Sequence, residues 1–330
     1  MRAGADRPSA TGPTAQQWRV WSALGAVYVI WGSTYLAIRV MVETVPPALG
    51  AGVRFALAGA LMLGALALRG GGWRAVAASR AQLLHCFVVG SLLAAGGNGL
   101  VTVAERDVPS GLAALLVATV PLWVVLYRTV AGDRVAGMTV AGVALGFVGV
   151  GVLLLPGGRP DDVHIAMALL IVLAAAFWGL GSFLAQRIAL PANPLVTTGW
   201  QMLFGGLLFA AAGLAAGEGS TVDVAAFSTK SVVAFAYLVV MGSIVAFSAY
   251  AYALAHAPIS QVSTYAYVNP VIAVVLGAVI LNEHVAAVTV AGMALIVASV
   301  AVIVRREGRA RQDQLHDTTP VATVRVASRN

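Results

Sequence analysis

The chain has 330 residues, 60% of them hydrophobic and only 10% charged. A soluble domain carries about 45–50% apolar and about 25% charged residues, so lipid must cover much of this surface. The net charge of +7 forms no compact basic face, because the arginines stand at the ends of apolar segments; this suits lipid head groups and membrane orientation, not nucleic acid.

A bilayer span needs about 20 apolar residues. Segments of that kind are predicted in the first half at about 21–42, 47–68, 82–104, 110–130 and 136–156. The second half gives about 164–187, 194–216, 231–254, 258–281 and 286–304. The first segment is too long for the core of a signal peptide and reads as a retained helix. The polar tails, 1–17 and 306–330, are expected in the cytoplasm without helical periodicity. Pro46-Pro47, Pro109, Pro194 and Pro258 stand where one helix stops and the next starts, a place where proline's missing N–H is harmless. The single cysteine, Cys86, reads as a small buried filler. No disulfide, metal site or cofactor is expected.

The chain repeats itself. Thr139-Val140-Ala141-Gly142 returns as Thr289-Val290-Ala291-Gly292, and Trp31-Gly32 returns as Trp178-Gly179. Pro109 and Pro121 have the spacing of Pro258 and Pro270, and Arg54 falls where Gln201 falls. An internal repeat in so apolar a chain points to a membrane transporter built from two related halves. Each half, 18–157 and 162–305, holds five predicted helices. Five is odd, so tandem halves must insert in opposite senses. The expected fold is an all-α integral membrane protein of about ten transmembrane helices in two inverted five-helix repeats.

Charge sets the expected orientation. With the N-terminus in the cytoplasm, Arg39, Arg106, Arg159 and Lys230 fall outside, Arg54 lies within a span, and the rest of the 20 Lys+Arg fall inside. The positive-inside rule therefore favours both termini in the cytoplasm. The Asp133-Arg134 turn is expected inside, and its repeat counterpart at Glu283-His284 outside.

Polar residues within spans are the site candidates, because lipid penalises them. Arg54 lies about two turns into the second helix; its guanidinium suits a substrate carboxylate, a pair with Glu105, or snorkelling to the interface. For Arg39, nearer a helix end, snorkelling is expected. Asn98, Thr102 and Glu105 share a face of the third helix. Glu105 is a candidate carrier of a coupling proton; a solvated cluster with Arg106 and Asp107 is the more common fate of such a run. Gln261, Tyr265 and Asn269 give the ninth helix a polar face where the first copy has Leu112, Leu116 and Val120. That face suits cavity lining, with interhelical hydrogen bonding as the alternative. Tyr28, Trp31 and Tyr35 form an aromatic face, with Trp178 as the repeat partner of Trp31 and with Tyr250 and Tyr252 as weaker candidates. Pro121 and Pro270 should kink their helices and free the carbonyls of Val117 and Ala266, making them candidate hinges. Gly142 and Gly146 read as a packing motif. Phosphate-loop, nucleophile-elbow and metal-spacing signatures do not occur. No ATP-binding domain is expected, so any pumping should draw on a gradient.

Trp31-Gly32-Ser33-Thr34-Tyr35, the Pro109–Pro121 stretch, Asn269-Pro270, Asn282-Glu283 and the twin Thr-Val-Ala-Gly segments carry a resemblance. Over about residues 20–305 the chain resembles the EamA-like branch of the drug/metabolite transporter superfamily. That resemblance implies alternating access without ATP hydrolysis and a central cavity lined by the first four helices of each half. Trp31, Asn98, Trp178, Tyr265 and Asn269 would face it. The family often has Gly-Glu where this chain has Asn282-Glu283, with Gly132-Asp133 in the first copy; both read as helix-end features. The expected function is inner-membrane secondary transport, exporting a small amphipathic metabolite, amino acid or drug, with proton coupling open. Facilitative exchange or import, a lipid-modifying membrane enzyme and a non-transporting scaffold are the alternatives. The expected partners are a small-molecule substrate and the bilayer, with a homodimer left open. The candidate cavity residues are Trp31, Tyr35, Arg54, Asn98, Trp178, Gln201, Gln261, Tyr265 and Asn269, with Glu105 for coupling and Pro121 and Pro270 as hinges.

Overall fold

The computed structural model describes residues 15–154, 163–257, 259–262 and 264–317. Pro258, most of both tails and the 155–162 connection with Arg159 lie outside the described residues, so the expectations placed on them are not addressed. The first repeat holds α1 (Ala15–Met41), α2 (Pro47–Arg69), α3 (Arg80–Ala104), α4 (Ser110–Val130) and α5 (Gly137–Leu154). The second holds α6 (Ile165–Ala185), α7 (Pro194–Ala215), α8 (Thr229–His256), α9 (Tyr265–Ile280) and α10 (Ala287–Asp317). Among the described residues, every one of these except the shorter α9 contains a stretch long and apolar enough to cross a bilayer.

Local chemistry fixes several starts. Pro47 and Pro194 occupy the first turns of α2 and α7. Ser79 and Gln82 close a reciprocal capping box on α3. Asn193 accepts from the Leu195 N–H, and Ser228 from the Ser231 N–H. The start of α2 is capped from the other repeat: Glu218 accepts from the N–H groups of Ala48 (3.1 Å) and Leu49 (2.7 Å).

The packing has the symmetry of a two-fold exchange. α1 packs on α9 as α6 packs on α4, and α1 packs on α8 as α6 packs on α3. The pairs α2–α7 and α5–α10 map onto themselves. Both self-paired contacts are built on small residues. A Cβ on Gly59 would lie 2.6 Å from the Gly199 carbonyl oxygen, and one on Gly149 would lie 3.2 Å from that of Gly292. Gly142 belongs to the α5–α10 seam, where the Ser299 hydroxyl donates to its carbonyl at 2.5 Å. The outward faces carry exposed Leu57, Leu61, Leu145, Val148, Leu169 and Leu173, the surface that a bilayer covers and water would not. Inside, Leu115, Leu116, Leu153, Ile171 and Ile296 are fully buried, and Cys86 is buried with no disulfide partner.

Two expectations are corrected and one unforeseen feature is added. The last helix runs on to Asp317, past the end expected near 304, because hydropathy marks the apolar stretch and not the end of the backbone hydrogen bonds. The third helix of each repeat is not uniform: π-helical turns occupy Ser91–Gly99 in α3 and Leu238–Val245 in α8. The paired prolines differ. α4 breaks after Val117 and resumes at Val120, placing Pro121 in a first turn, whereas Pro270 lies inside the continuous α9.

Candidate functional site

Between the repeats lies a cavity of about 110 Å³. α1 contributes Trp31, Thr34, Tyr35 and Ile38, α2 contributes Arg54, and α3 contributes Asn98 and Val101. α4 contributes the broken stretch from Ala114 to Pro121. The second repeat adds Trp178 from α6, Gly242 and Phe247 from α8, and Tyr265, Ala266, Asn269 and Pro270 from α9. Val117 and Ala266, each four residues before one of the prolines, are both in this wall.

The non-uniform helices shape the site. π-helical turns displace backbone hydrogen bonds and recur at functional places. Each repeat's Trp packs on the π stretch of the other. Trp31 Nε1 donates to the Gly242 carbonyl at 3.2 Å. The Trp178 ring sits where a Cβ on Gly97 would meet it at 3.0 Å. Trp31 also anchors an aromatic wall, with ring centroids 5.0 Å from Phe247, 5.2 Å from Tyr250 and 5.2 Å from Tyr265. Tyr28 reaches the same helix pair and hydrogen-bonds Thr264, while Tyr252 stacks on His256 at 4.2 Å, outside the cavity wall.

Arg54 is 2% exposed, and its Nε and Nη1 have no hydrogen-bond partner. It lines the cavity and so does not snorkel. It is the single formally charged side chain among the described lining residues. Glu105 is 0% exposed, with both carboxylate oxygens unpartnered. The solvated cluster expected for it is corrected: the end of α3 packs inside the bundle. Glu105 does not itself line the cavity. Arg39, for which snorkelling was expected, donates through its guanidinium to the carbonyls of Glu105 and Arg106. It caps α3 with a positive charge at the end where the helix dipole favours one.

Of the candidate residues, the cavity brings together Trp31, Tyr35, Arg54, Asn98, Trp178, Tyr265 and Asn269, with Pro121 and Pro270 beside them. It excludes Gln201 and Gln261. Gln201 lies where α7 presses on α3: a Cβ on Gly90 would come 2.7 Å from the Gln201 Cα. With that, the expectation that four helices of each half line the cavity fails for α7. Gln261 lies on Ile259–Val262, before the start of α9, and is not in the cavity wall. Thr102 is buried and turned back on its own helix, donating to the Asn98 carbonyl at 2.9 Å.

Two loop carboxylates complete the picture. Glu283 accepts from the N–H groups of Ser110 and Gly111, capping α4 from the other repeat. Among the described residues, its counterpart Asp133 caps no helix. It accepts from Arg187 Nη2 on both oxygens at 2.6 Å and from Arg128 Nε at 3.3 Å. The Arg187 hydrogen bond, aided by the charge of both arginines, holds the Asp133 carboxyl below the ordinary aspartate range. No hydropathy signal marks the caps; only the helix-end positions of Gly132-Asp133 and Asn282-Glu283 hint at them.

Comparison with known proteins agrees with this architecture. The EamA-like transporter family model matches residues 18–155 and again residues 165–305. The chain is 40% identical over 259 residues to an uncharacterized inner membrane transporter, YedA, of Escherichia coli (strain K12), covering 78% of this chain and 81% of that one. It is 29% identical over 300 residues to a probable terminal-alkyne amino-acid exporter of Streptantibioticus cattleyicolor, covering 89% of this chain and 96% of that one. A chain of known crystal structure shares the fold at a TM-score of 0.58 with 20% identity, over 88% of this chain and 98% of that one. A cavity walled by both halves of a duplicated bundle, matched twice by one family model, leads to one assignment: this chain is a multi-pass membrane protein of the EamA-like transporter family.

Proposed function

We propose that the chain exports a small amphipathic solute across the inner membrane by alternating access, with both termini in the cytoplasm. The observation that carries the reading is the cavity between the inverted repeats. Its wall combines an aromatic cluster around Trp31 with the buried cation of Arg54. Such a wall accepts a solute with one apolar and one polar end. The inner-membrane location is supported by the likeness to YedA, and export by the likeness to a probable amino-acid exporter. The orientation rests on the excess of arginine in the loops on one side.

We assign proton coupling to Glu105, a fully buried carboxylate with no hydrogen-bond partner among the described residues. The test is solute efflux from proteoliposomes of purified protein, with and without an imposed proton gradient. Gradient-driven efflux that Glu105→Gln uncouples is the expected result. Equal flux with and without the gradient would reject coupling and leave facilitated export. Cysteines placed at the Asp133 and Glu283 turns should label from opposite sides; labelling of both from one side would overturn the topology.

A further inference from the structure

The turn between α2 and α3, residues 70–79, is held by bonds that leave its outward side chains with no structural task. The Gly70 N–H donates to the Leu66 carbonyl at 2.9 Å, and the Gly72 N–H to the Ala67 carbonyl at 2.7 Å. Gly71 and Gly72 take φ of +76° and +127°, values that suit glycine alone. A short 3₁₀ turn follows at Trp73–Val76. Val76 is 1% exposed, packs with Leu63, Ala67 and Val196, and accepts at its carbonyl from Trp200 Nε1 at 3.0 Å. The start of α3 is tied down as well: Gln82 Nε2 donates to the Leu190 carbonyl, and His85 Nδ1 to that of Ala189.

What this fixed turn presents outward is apolar and cationic. Trp73 is 72% exposed and Leu68 87%, and Arg69, Arg74 and Arg80 are all exposed. The turn folds back until a Cβ on Gly70 would meet that of Ala75, which makes neighbours of Arg69 and Arg74. Among the described residues, none of the three guanidiniums forms an ion pair or a hydrogen bond. No aspartate or glutamate occurs in residues 44–104 or 163–217, which build this face. The equivalent connection of the second repeat, between α7 and α8, also has 3₁₀ turns and an exposed apolar tip, Val224 at 72%. There the charges include Glu218 and Asp223, and both carboxylates cap backbone N–H groups. Both halves have the apolar tip; only the first surrounds it with cations.

We propose that the α2–α3 turn is a docking site for an anionic phospholipid of the inner leaflet. The headgroup phosphate lies among Arg69, Arg74 and Arg80, the Trp73 indole sits at headgroup level, and Leu68 meets the acyl chains. Tryptophan favours the membrane–water interface, and arginine matches phosphate oxygens in geometry and charge. A zwitterionic headgroup brings its own cation into a cluster that has no acid to receive it, so an anionic one is preferred. The choice of leaflet rests on the proposed orientation, with both termini in the cytoplasm; the binding itself does not.

The test adds dioleoylphosphatidylglycerol or dioleoylphosphatidylcholine to the full chain in dodecylmaltoside and follows the first bound lipid by native mass spectrometry. Phosphatidylglycerol should bind about tenfold or more tighter. Arg69→Gln combined with Arg74→Gln should weaken it by about tenfold or more, and Arg69→Lys combined with Arg74→Lys should keep most of the affinity, because the charge stays. Removing the same charge at the end of α10, by Arg305→Gln and Arg306→Gln, should change it by less than about threefold. Trp73 gives a second reading that needs no arginine variant. Phosphatidylglycerol brominated on its acyl chains, at one lipid per protein, should quench the emission of the unaltered chain more than that of Trp73→Phe. Equal affinity for the two lipids, an equal loss in the α10 pair, or equal quenching with and without Trp73 would each overturn the site. In a Cys86→Ser background, a cysteine at Ala77 should label from the cytoplasmic side. Labelling from the outside would overturn the orientation and the leaflet and leave the lipid affinities standing. None of these measurements reads transport, so a failed transport reading leaves the site intact.

Discussion

Glu283 accepts a hydrogen bond from the backbone N–H of Ser110 at 2.7 Å, across the boundary between the repeats. Its second oxygen takes the next N–H, that of Gly111, at 3.0 Å. A carboxylate at a helix start satisfies orphan donors and opposes the positive end of the dipole. Here it also ties the turn after α9 to the start of α4, at one end of the cavity. Losing such a cap costs about 0.5–2 kcal/mol. Glu283→Ala should therefore loosen that end. In a Cys86→Ser background, a cysteine at Ala114 in the cavity wall should react faster with an impermeant thiol reagent added from the Glu283 side. An unchanged rate would show that the cap holds the helix without holding the gate.

At Gly52 and Gly206 the α2–α7 seam has no room for a side chain. A Cβ on Gly52 would lie 2.6 Å from the Ala210 Cα, and one on Gly206 would lie 2.7 Å from the Gly52 carbonyl oxygen. Both contacts are with backbone, which cannot rotate away. Gly52→Ala and Gly206→Ala should each destabilise by about 1–3 kcal/mol through overpacking. Gly64, on the same helix, has nothing within 4 Å of its would-be Cβ. Gly64→Ala should be neutral or stabilising by up to about 1 kcal/mol through helix propensity. Thermal unfolding in detergent separates the two classes; equal loss at Gly64 would mean that the seam is not the cause.

The duplicated fold and much of the cavity were legible because each left a local mark. Hydropathy gave the helices, the twin segments gave the repeat, and Arg54, Asn98 and Asn269 stood out as polar residues inside apolar helices. What failed depended on rotation about a helix axis or on distant partners. Gln201 has the register of Arg54, but its helix spends that face on α3 near Gly90. Gln261 matched the spacing of Tyr265 and Asn269, yet it stays outside the cavity wall that those two share. The caps by Glu218 and Glu283 join residues 170 and 173 positions from their partners, a distance no local pattern encodes. The π stretches left no apolar signature, because they alter the backbone hydrogen bonds and not the residue types.

Trp31 and Trp178 are repeat equivalents with different bonds. Trp31 Nε1 donates to the Gly242 carbonyl in the π stretch of α8, whereas Trp178 meets the π stretch of α3 through its ring at Gly97. Trp31→Phe keeps an aromatic ring beside Phe247 and Tyr265 but leaves that carbonyl without its donor. The expected cost is about 0.5–1.5 kcal/mol for the hydrogen bond, seen as a lower thermal midpoint than that of Trp178→Phe. Equal midpoints for the two variants would show that ring packing, not the indole N–H, holds α1 to α8.

Asp133 gives a pH dependence of definite sign. Its folded pKa is lowered, first by the Arg187 hydrogen bond and then by the neighbouring positive charges. A carboxyl lowered on folding stabilises the fold above its unfolded pKa, about 3.9 for aspartate. That stabilisation disappears as pH falls through the folded value, because the unfolded chain then binds the proton more readily. The ion pairs are part-exposed, with side-chain exposures of 36% for Arg187 and 30% for Asp133, so the effect is small and salt-sensitive. Wild type should melt slightly above Asp133→Asn between about pH 5 and pH 7, and the gap should close as the pH drops below about 4. The gap should also narrow at high salt. A gap that persists at pH 2 or grows with acid would mean that Asp133 acts through its shape and not its charge.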